Sequence, residues 1–189
     1  MTRDEALKIL DELENSGNMI KHGLAVGFAM GELYDFFEQE DKNPEMKKDD
    51  WEIAGILHDA DYEITNKSLD RHTEETTKKL KEIKADQIII DAIRGHCDKA
   101  ERKTLMAKAV YAADELTGLI VAAALVQPDK KLKSTAAESV MRKFKDKSFA
   151  AGANRDQIRT CDGELGIPLE KFIALTLKSM QKNSDDLGL

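Results

Sequence analysis

Six residues in this chain carry side chains suited to holding a divalent cation: His22, His58, Asp59, His72, His96 and Asp114. All four histidines fall in the first hundred of 189 residues, so one polar site explains them more simply than scattered packing does. Imidazole nitrogen combined with carboxylate oxygen suits Mn, Fe, Ni, Co, Zn or Mg, and mixed ligation leaves positions for water and substrate oxygens. His58 and Asp59 are adjacent and diverge by about a quarter turn on a helix. They reach a single ion only where their helix ends, and Asp59 could then bridge two ions with one oxygen to each. Asp114 sits in an apolar segment, where an unpartnered carboxylate is costly, so it requires either a cation site or a salt bridge to a residue such as Lys108.

Taken singly, each residue also has an ordinary explanation. His22 shares a helix face with Ala25, Val26 and Ala29 and fits a packed core histidine. His72, between Arg71 and Thr73, fits a solvated helix start, and His96 after Gly95 fits a helix cap. The joint pattern carries more information than any member.

The elements that must position these residues read as all-α. Prolines are few, apolar residues recur at i, i+3 and i+4, and no alternating strand pattern is present. Thr2 with Glu5 has capping-box spacing for a first helix ending near Ser16-Gly17. A second helix is predicted from about Ile20 to Gln39, and a third, capped by Asp49 or Asp50, ends at the His58-Asp59 doublet. Asp70 or Thr73 opens a helix to about Ile83, and Asp86 opens another that stops at Gly95. Leu105 to Val126 is apolar nearly all round and forms the central helix, with Asp114 inside it. Further helices are expected near Ser134–Met141, Asn154–Cys161 and Pro168–Asn183. The organisation expected is a metal-binding helical domain over 1–127 and a C-terminal helical extension over 128–189 packed on the same core.

Composition narrows the function classes. A formal net charge of −7 argues against binding polymeric nucleic acid through the whole surface. The longest apolar stretch, Leu116 to Val126, is interrupted by Thr117 and Gly118 and is too short for a membrane span. Two cysteines, Cys97 and Cys161, are too few for a disulfide framework, and with no signal pattern at the start a reducing cytoplasm is the expected location. Trp51, Phe36 and Phe37 suit either the core or a contact between copies, so an oligomer stays open.

The order His22, His58-Asp59, Asp114 resembles the HD-domain superfamily of metal-dependent phosphohydrolases, over roughly Ile20 to Val126. The segments His58-Asp59-Ala60-Asp61-Tyr62 and Ala112-Ala113-Asp114-Glu115-Leu116-Thr117 carry it. The resemblance implies an HD-like helical bundle in which His22, His58, Asp59 and Asp114 hold one ion, and Asp59, His72 and His96 a second. The doublet continues Ala60-Asp61 and lacks the following lysine of the cyclic-dinucleotide phosphodiesterase branch, which departs from that activity.

Under this resemblance the expected activity is hydrolysis of a small phosphorylated metabolite, a nucleotide or another phosphoester, at a mono- or binuclear centre. Asp59 and Asp61 are the candidate catalytic residues, Asp61 as general acid or base two positions past the doublet. Phosphate recognition needs cations, and the basic stretch Arg142 to Lys147 with Arg155 offers Lys145, Lys147 and Arg155. The small residues Ala150 to Ala153 would let backbone approach a ligand. Two other readings use the same residues: a di-iron oxygenase of HD type, and a non-catalytic metal- or nucleotide-binding regulatory module.

Overall fold

Thr2 opens the first helix through a reciprocal pair of bonds. Its hydroxyl accepts the Glu5 amide at 3.3 Å while the Glu5 carboxylate accepts the Thr2 amide at 2.7 Å. The computed structural model describes all 189 residues and contains ten α-helices, one 3₁₀ turn and no strand. The order is α1 (Arg3–Glu12), α2 (Gly17–Gln39), α3 (Lys48–Leu57), α4 (Glu74–Glu82), α5 (Gln87–Gly95), α6 (Leu105–Leu125), the 3₁₀ turn (Leu132–Ser134), α7 (Ala137–Lys145), α8 (Arg155–Leu165), α9 (Leu169–Lys182) and α10 (Ser184–Leu187). The all-α expectation therefore holds.

Several boundaries differ from the expected ones, α7 by about a turn at both ends and α8 by a turn at its end, and two of the differences have clear local reasons. Ser16 accepts the Met19 amide at 3.3 Å and so starts α2 at Gly17, one turn before Ile20, while α1 has already stopped at Glu12. In α3 neither Asp49 nor Asp50 is the N-cap. Lys47 holds that position and the Asp50 carboxylate accepts its amide at 3.2 Å from inside the first turn.

The central helix α6 is buried along most of its length and carries α5, α8 and α2 on its flanks. One continuous apolar cluster runs from Ala6 to Leu187, with α8 against α6 and α9 against α2. Trp51 and Phe37 are fully buried, the indole N–H donating to the Glu45 carbonyl at 2.7 Å, while Phe36 is half-buried beneath the Lys171 ammonium at 4.3 Å. No helix is long and apolar enough to cross a membrane.

Backbone contact between α2 and α3 fixes where the site forms. A Cβ built on Gly55 would lie 2.7 Å from the Gly27 amide nitrogen, and one on Gly23 would lie 2.5 Å from the Ile56 carbonyl oxygen. Only glycine permits this approach; Gly23 directly follows His22, and Gly55 lies one turn before His58. Replacing Gly55 by Ala is expected to destabilise the protein by about 1–3 kcal/mol through overpacking. Gly163, exposed on α8 with open space around it, is the control, and Gly163→Ala should stabilise by about 0.5–1 kcal/mol. Urea denaturation of both variants measures the contrast.

Candidate metal centre

Each ligand-type side chain is delivered by an element end or by the central helix. His22 projects from the second turn of α2, His58 caps the C-terminus of α3, and Asp59 follows where that helix opens. His72 precedes α4, His96 caps α5, and Asp114 comes from the middle of α6. Helix ends supply four of the six, because adjacent helical residues point about 100° apart and only a terminating chain turns a neighbour inward.

The six converge in two groups that share Asp59. In the first, His22 Nε2 lies 3.2 Å from His58 Nε2 and 3.1 Å from Asp114 Oδ1, and His58 Nε2 lies 3.4 Å from the same oxygen. Asp59 Oδ2 stands 3.7 Å from both imidazole nitrogens. In the second, His72 Nε2 and His96 Nε2 are 2.9 Å apart, and Asp59 Oδ1 lies 3.0 and 3.1 Å from them. One carboxylate thus turns an oxygen to each group.

The outward ring nitrogens explain why the inner ones are ligand-like. His58 Nδ1 donates to the Gly55 carbonyl at 2.7 Å, His96 Nδ1 to the Ile93 carbonyl, and His72 Nδ1 to Asp61 at 3.0 Å. With protons spent outward, the Nε2 lone pairs face inward and one another. Lone pairs this close repel unless a proton or a cation lies between them. The donor set, nitrogen and carboxylate oxygen with no Lys or Arg among them, fits divalent ions.

Electrostatics point the same way. Burial disfavours a charged His58, yet the carboxylates of Asp59 and Asp114 overcome it and push its pKa up to about 9. His72 is likewise pushed up to about 9, its burial outweighed by Asp59 and Asp61. Burial alone would raise Asp59 and Asp114, but the neighbouring imidazoles hold both well below the usual carboxylate range. The centre therefore holds protons among its imidazoles and carboxylates at neutral pH.

Asp61 is placed differently from the general acid or base expected of it. It is fully buried and does not line the cavity; Oδ1 accepts from His72 Nδ1 and from the Thr73 amide at 2.7 Å, and Oδ2 from the Thr76 amide at 3.1 Å. Thr73, the N-cap of α4, has a φ of 66° and makes no side-chain cap bond, so Asp61 caps that helix from a distance in sequence and orients His72.

The basic residues are also elsewhere. Lys145, Lys147 and Arg155 border a separate cavity of about 490 Å³ with Arg159. One reason is amphipathicity: α7 buries Val140 and Phe144 and turns Lys145 to solvent, and Lys147 stands exposed beyond its end. Arg155 spends its guanidinium on the carbonyls of Phe149, Ala150 (2.6 Å) and Ala153 (2.7 Å), which folds the 149–153 segment.

That folded segment roofs the centre. A cavity of about 830 Å³ opens over His22, Asp59, His72, His96 and Asp114, and Ala150, Gly152 and Ala153 line its far side. The sequence reading did not single out Tyr62, Tyr111, Glu115, Gln157 or Cys97, which also line it. A signal existed for part of this wall: Tyr111, Asp114, Glu115 and Gly118 recur at i, i+3, i+4 and i+7 on α6. Burial raises the Glu115 pKa, opposed by the Asn154 amide that its Oε2 accepts at 3.0 Å. Burial also raises that of Cys97, keeping it a thiol beside His72 and His96.

A family model described as HD domain matches residues 19–119, a segment that contains all six converging residues. The chain belongs to the HD domain family. In comparisons with curated proteins and with solved structures, nothing matched the chain. The six positions named from the resemblance are those that meet in this HD-domain protein, whereas Asp61 and the three basic residues lie outside the cavity.

Two outcomes follow from this geometry. In the metal-free protein His58 and His72 bind protons up to about pH 9, whereas the unfolded chain releases them near 6.5. Their stabilisation is full below 6.5 and disappears as pH rises through about 9. The urea midpoint of chelator-treated protein should fall over that interval while zinc affinity rises; a midpoint that is flat or climbs contradicts the raised imidazoles. Asp61→Asn should weaken metal binding at the His72–His96 position by about 10- to 100-fold, measured by competition with a chelator. A general acid would instead lose turnover with metal affinity intact.

Proposed function

We propose that this HD-domain protein is a metal-dependent phosphohydrolase of a small phosphorylated metabolite, working through a binuclear His/Asp centre. The observation that supports it is the split carboxylate of Asp59, with Oδ2 toward the His22–His58 pair and Oδ1 toward the His72–His96 pair. His22, His58, Asp59 and Asp114 would hold one divalent ion, and Asp59, His72 and His96 the other. Such ions supply Lewis-acid neutralisation of a phosphoryl group and acidify water near neutral pH.

The chain's own residues prepare that chemistry. Asp61 and the Gly55 and Ile93 carbonyls hold the rings with Nε2 directed inward, so an entering ion displaces the Nε2 protons without turning the imidazoles. Gly118 leaves open space where a side chain would stand, and Ala150, Gly152 and Ala153 let a ligand approach backbone on the opposite wall. Asp114 is held as an anion in the middle of the mostly buried helix α6 and stays available as a ligand across the physiological range.

A panel of phosphoesters assayed with Mn, Co, Ni, Zn and Mg should give inorganic phosphate release that Asp59→Ala abolishes. Elemental analysis of the same variant should show the metal content drop from two ions toward none, because one residue serves both positions. Activity that survives Asp59→Ala counts against the reading. Iron-bound protein that consumes oxygen and releases no phosphate would replace it with the oxygenase reading.

A further inference from the structure

The walls of the 830 Å³ cavity contain no lysine and no arginine, and their charged residues are Asp59, Asp98, Asp114 and Glu115. Three cations beside these walls are committed elsewhere. Lys99 Nζ donates to the carbonyls of Asp70 and His72, both at 2.6 Å. The Arg102 guanidinium lies 3.8 Å over the Tyr111 ring and pairs with Asp98. Arg155 binds the roof carbonyls.

Charge bookkeeping then limits the ligand. Two divalent ions bring four positive charges, Asp59 and Asp114 remove two, and one phosphoryl dianion removes the rest. Nothing remains for a second phosphate, which disfavours nucleoside di- and triphosphates. Asp98 is answered by Arg102 and its side chain is mostly exposed. Glu115 is different: it is half-buried in the cavity wall, pairs with no Lys or Arg, and uses one oxygen on the Asn154 amide while the other accepts no hydrogen bond. A partly desolvated carboxylate with no counter-charge is relieved by a cation brought by the ligand.

We propose that the cavity selects a phosphate monoester whose organic part carries an ammonium group, with Glu115 as the specificity residue that receives it. This rests on the reading above, in which the paired metal positions hold the phosphoryl group. Glu115 follows Asp114 on α6, and neighbouring helical side chains diverge by about 100°. The ammonium end is therefore separated from the phosphoryl end by a short linker, as in an aminoalkyl phosphate.

The test uses two non-hydrolysable probes of equal shape, 3-aminopropylphosphonate and butylphosphonate, titrated calorimetrically into Mn-loaded protein, so that affinity is read without turnover. The ammonium probe should bind about tenfold more tightly, and Glu115→Gln, which can still accept the Asn154 amide, should erase that preference while leaving butylphosphonate unchanged. Asp98→Asn should keep it. Equal affinities in the parent protein, or a preference that Glu115→Gln leaves intact, overturn the proposal while the phosphohydrolase reading stands. Binding of neither probe overturns both.

Discussion

Contact between the backbones of α2 and α3 is the constraint on which the centre depends. Gly27 and Gly55 meet with no room for a Cβ on Gly55, and Gly23 faces the Ile56 carbonyl in the same way. His22 stands one residue before Gly23, and His58 one turn after Gly55, so the crossing that the glycines permit is also what brings the two Nε2 atoms to 3.2 Å. Side chains of ordinary size would part the helices by about the 8–10 Å usual between packed axes. The imidazoles would then be too far apart to share an ion. Packing and chemistry are set by the same residues here, which is why the helix tolerates three glycines whose intrinsic cost is about 1 kcal/mol each.

Proximity of six polar groups creates an electrostatic problem that the fold solves only in part. Carboxylates and imidazoles in a buried setting charge one another, raising His58 and His72 and lowering Asp59 and Asp114. The protonated state is a tolerable resting form for the protein alone, but its acidic hydrogens occupy the directions from which metal would be bound. The outward Nδ1 bonds bias the balance by fixing ring orientation independently of what lies between the Nε2 atoms. Asp61 contributes doubly, since the carboxylate that orients His72 also holds the first turn of α4 through Thr73 and Thr76. Ligand geometry and local folding are consequently linked at that helix start.

How far the sequence disclosed this depends on whether a feature is local or long-range. Helix existence and the convergence of the six side chains were legible: caps such as Thr2 and Asp86 act within three residues, and a histidine-aspartate doublet is a short pattern. Ser16 was read as an ending because the glycine after it suggested a stop, although its hydroxyl serves the next helix. Asp61 was misplaced because its partners, Thr73 and Thr76, lie beyond an irregular connection that no periodicity predicts. The basic stretch failed for a more general reason. A run of charge records how many cations a segment has and says nothing of which face they take, and here Lys145 and Lys147 face solvent while Arg155 is spent on backbone carbonyls. The glycine spacing at 23, 27 and 31 was visible as letters, but a glycine in a helix reads first as a propensity penalty and only a packed neighbour reveals its purpose.

The division of labour along the chain follows from where the cavity's walls originate. All six ligand-type residues lie within the segment that matches the family, residues 19–119, whereas the roof comes from Ala150 to Gln157. The roof is attached to the central helix by two polar ties, Asn154 N–H to Glu115 and Gln157 Nε2 to the Tyr111 carbonyl at 2.8 Å, and by Arg155 gathering the carbonyls of the 149–153 segment. A metal centre needs a fixed donor set, but ligand choice is governed by whatever closes over it. Arg155, expected from the sequence to meet phosphate, thus acts one step removed, by shaping a segment that lines the cavity over the six converging side chains.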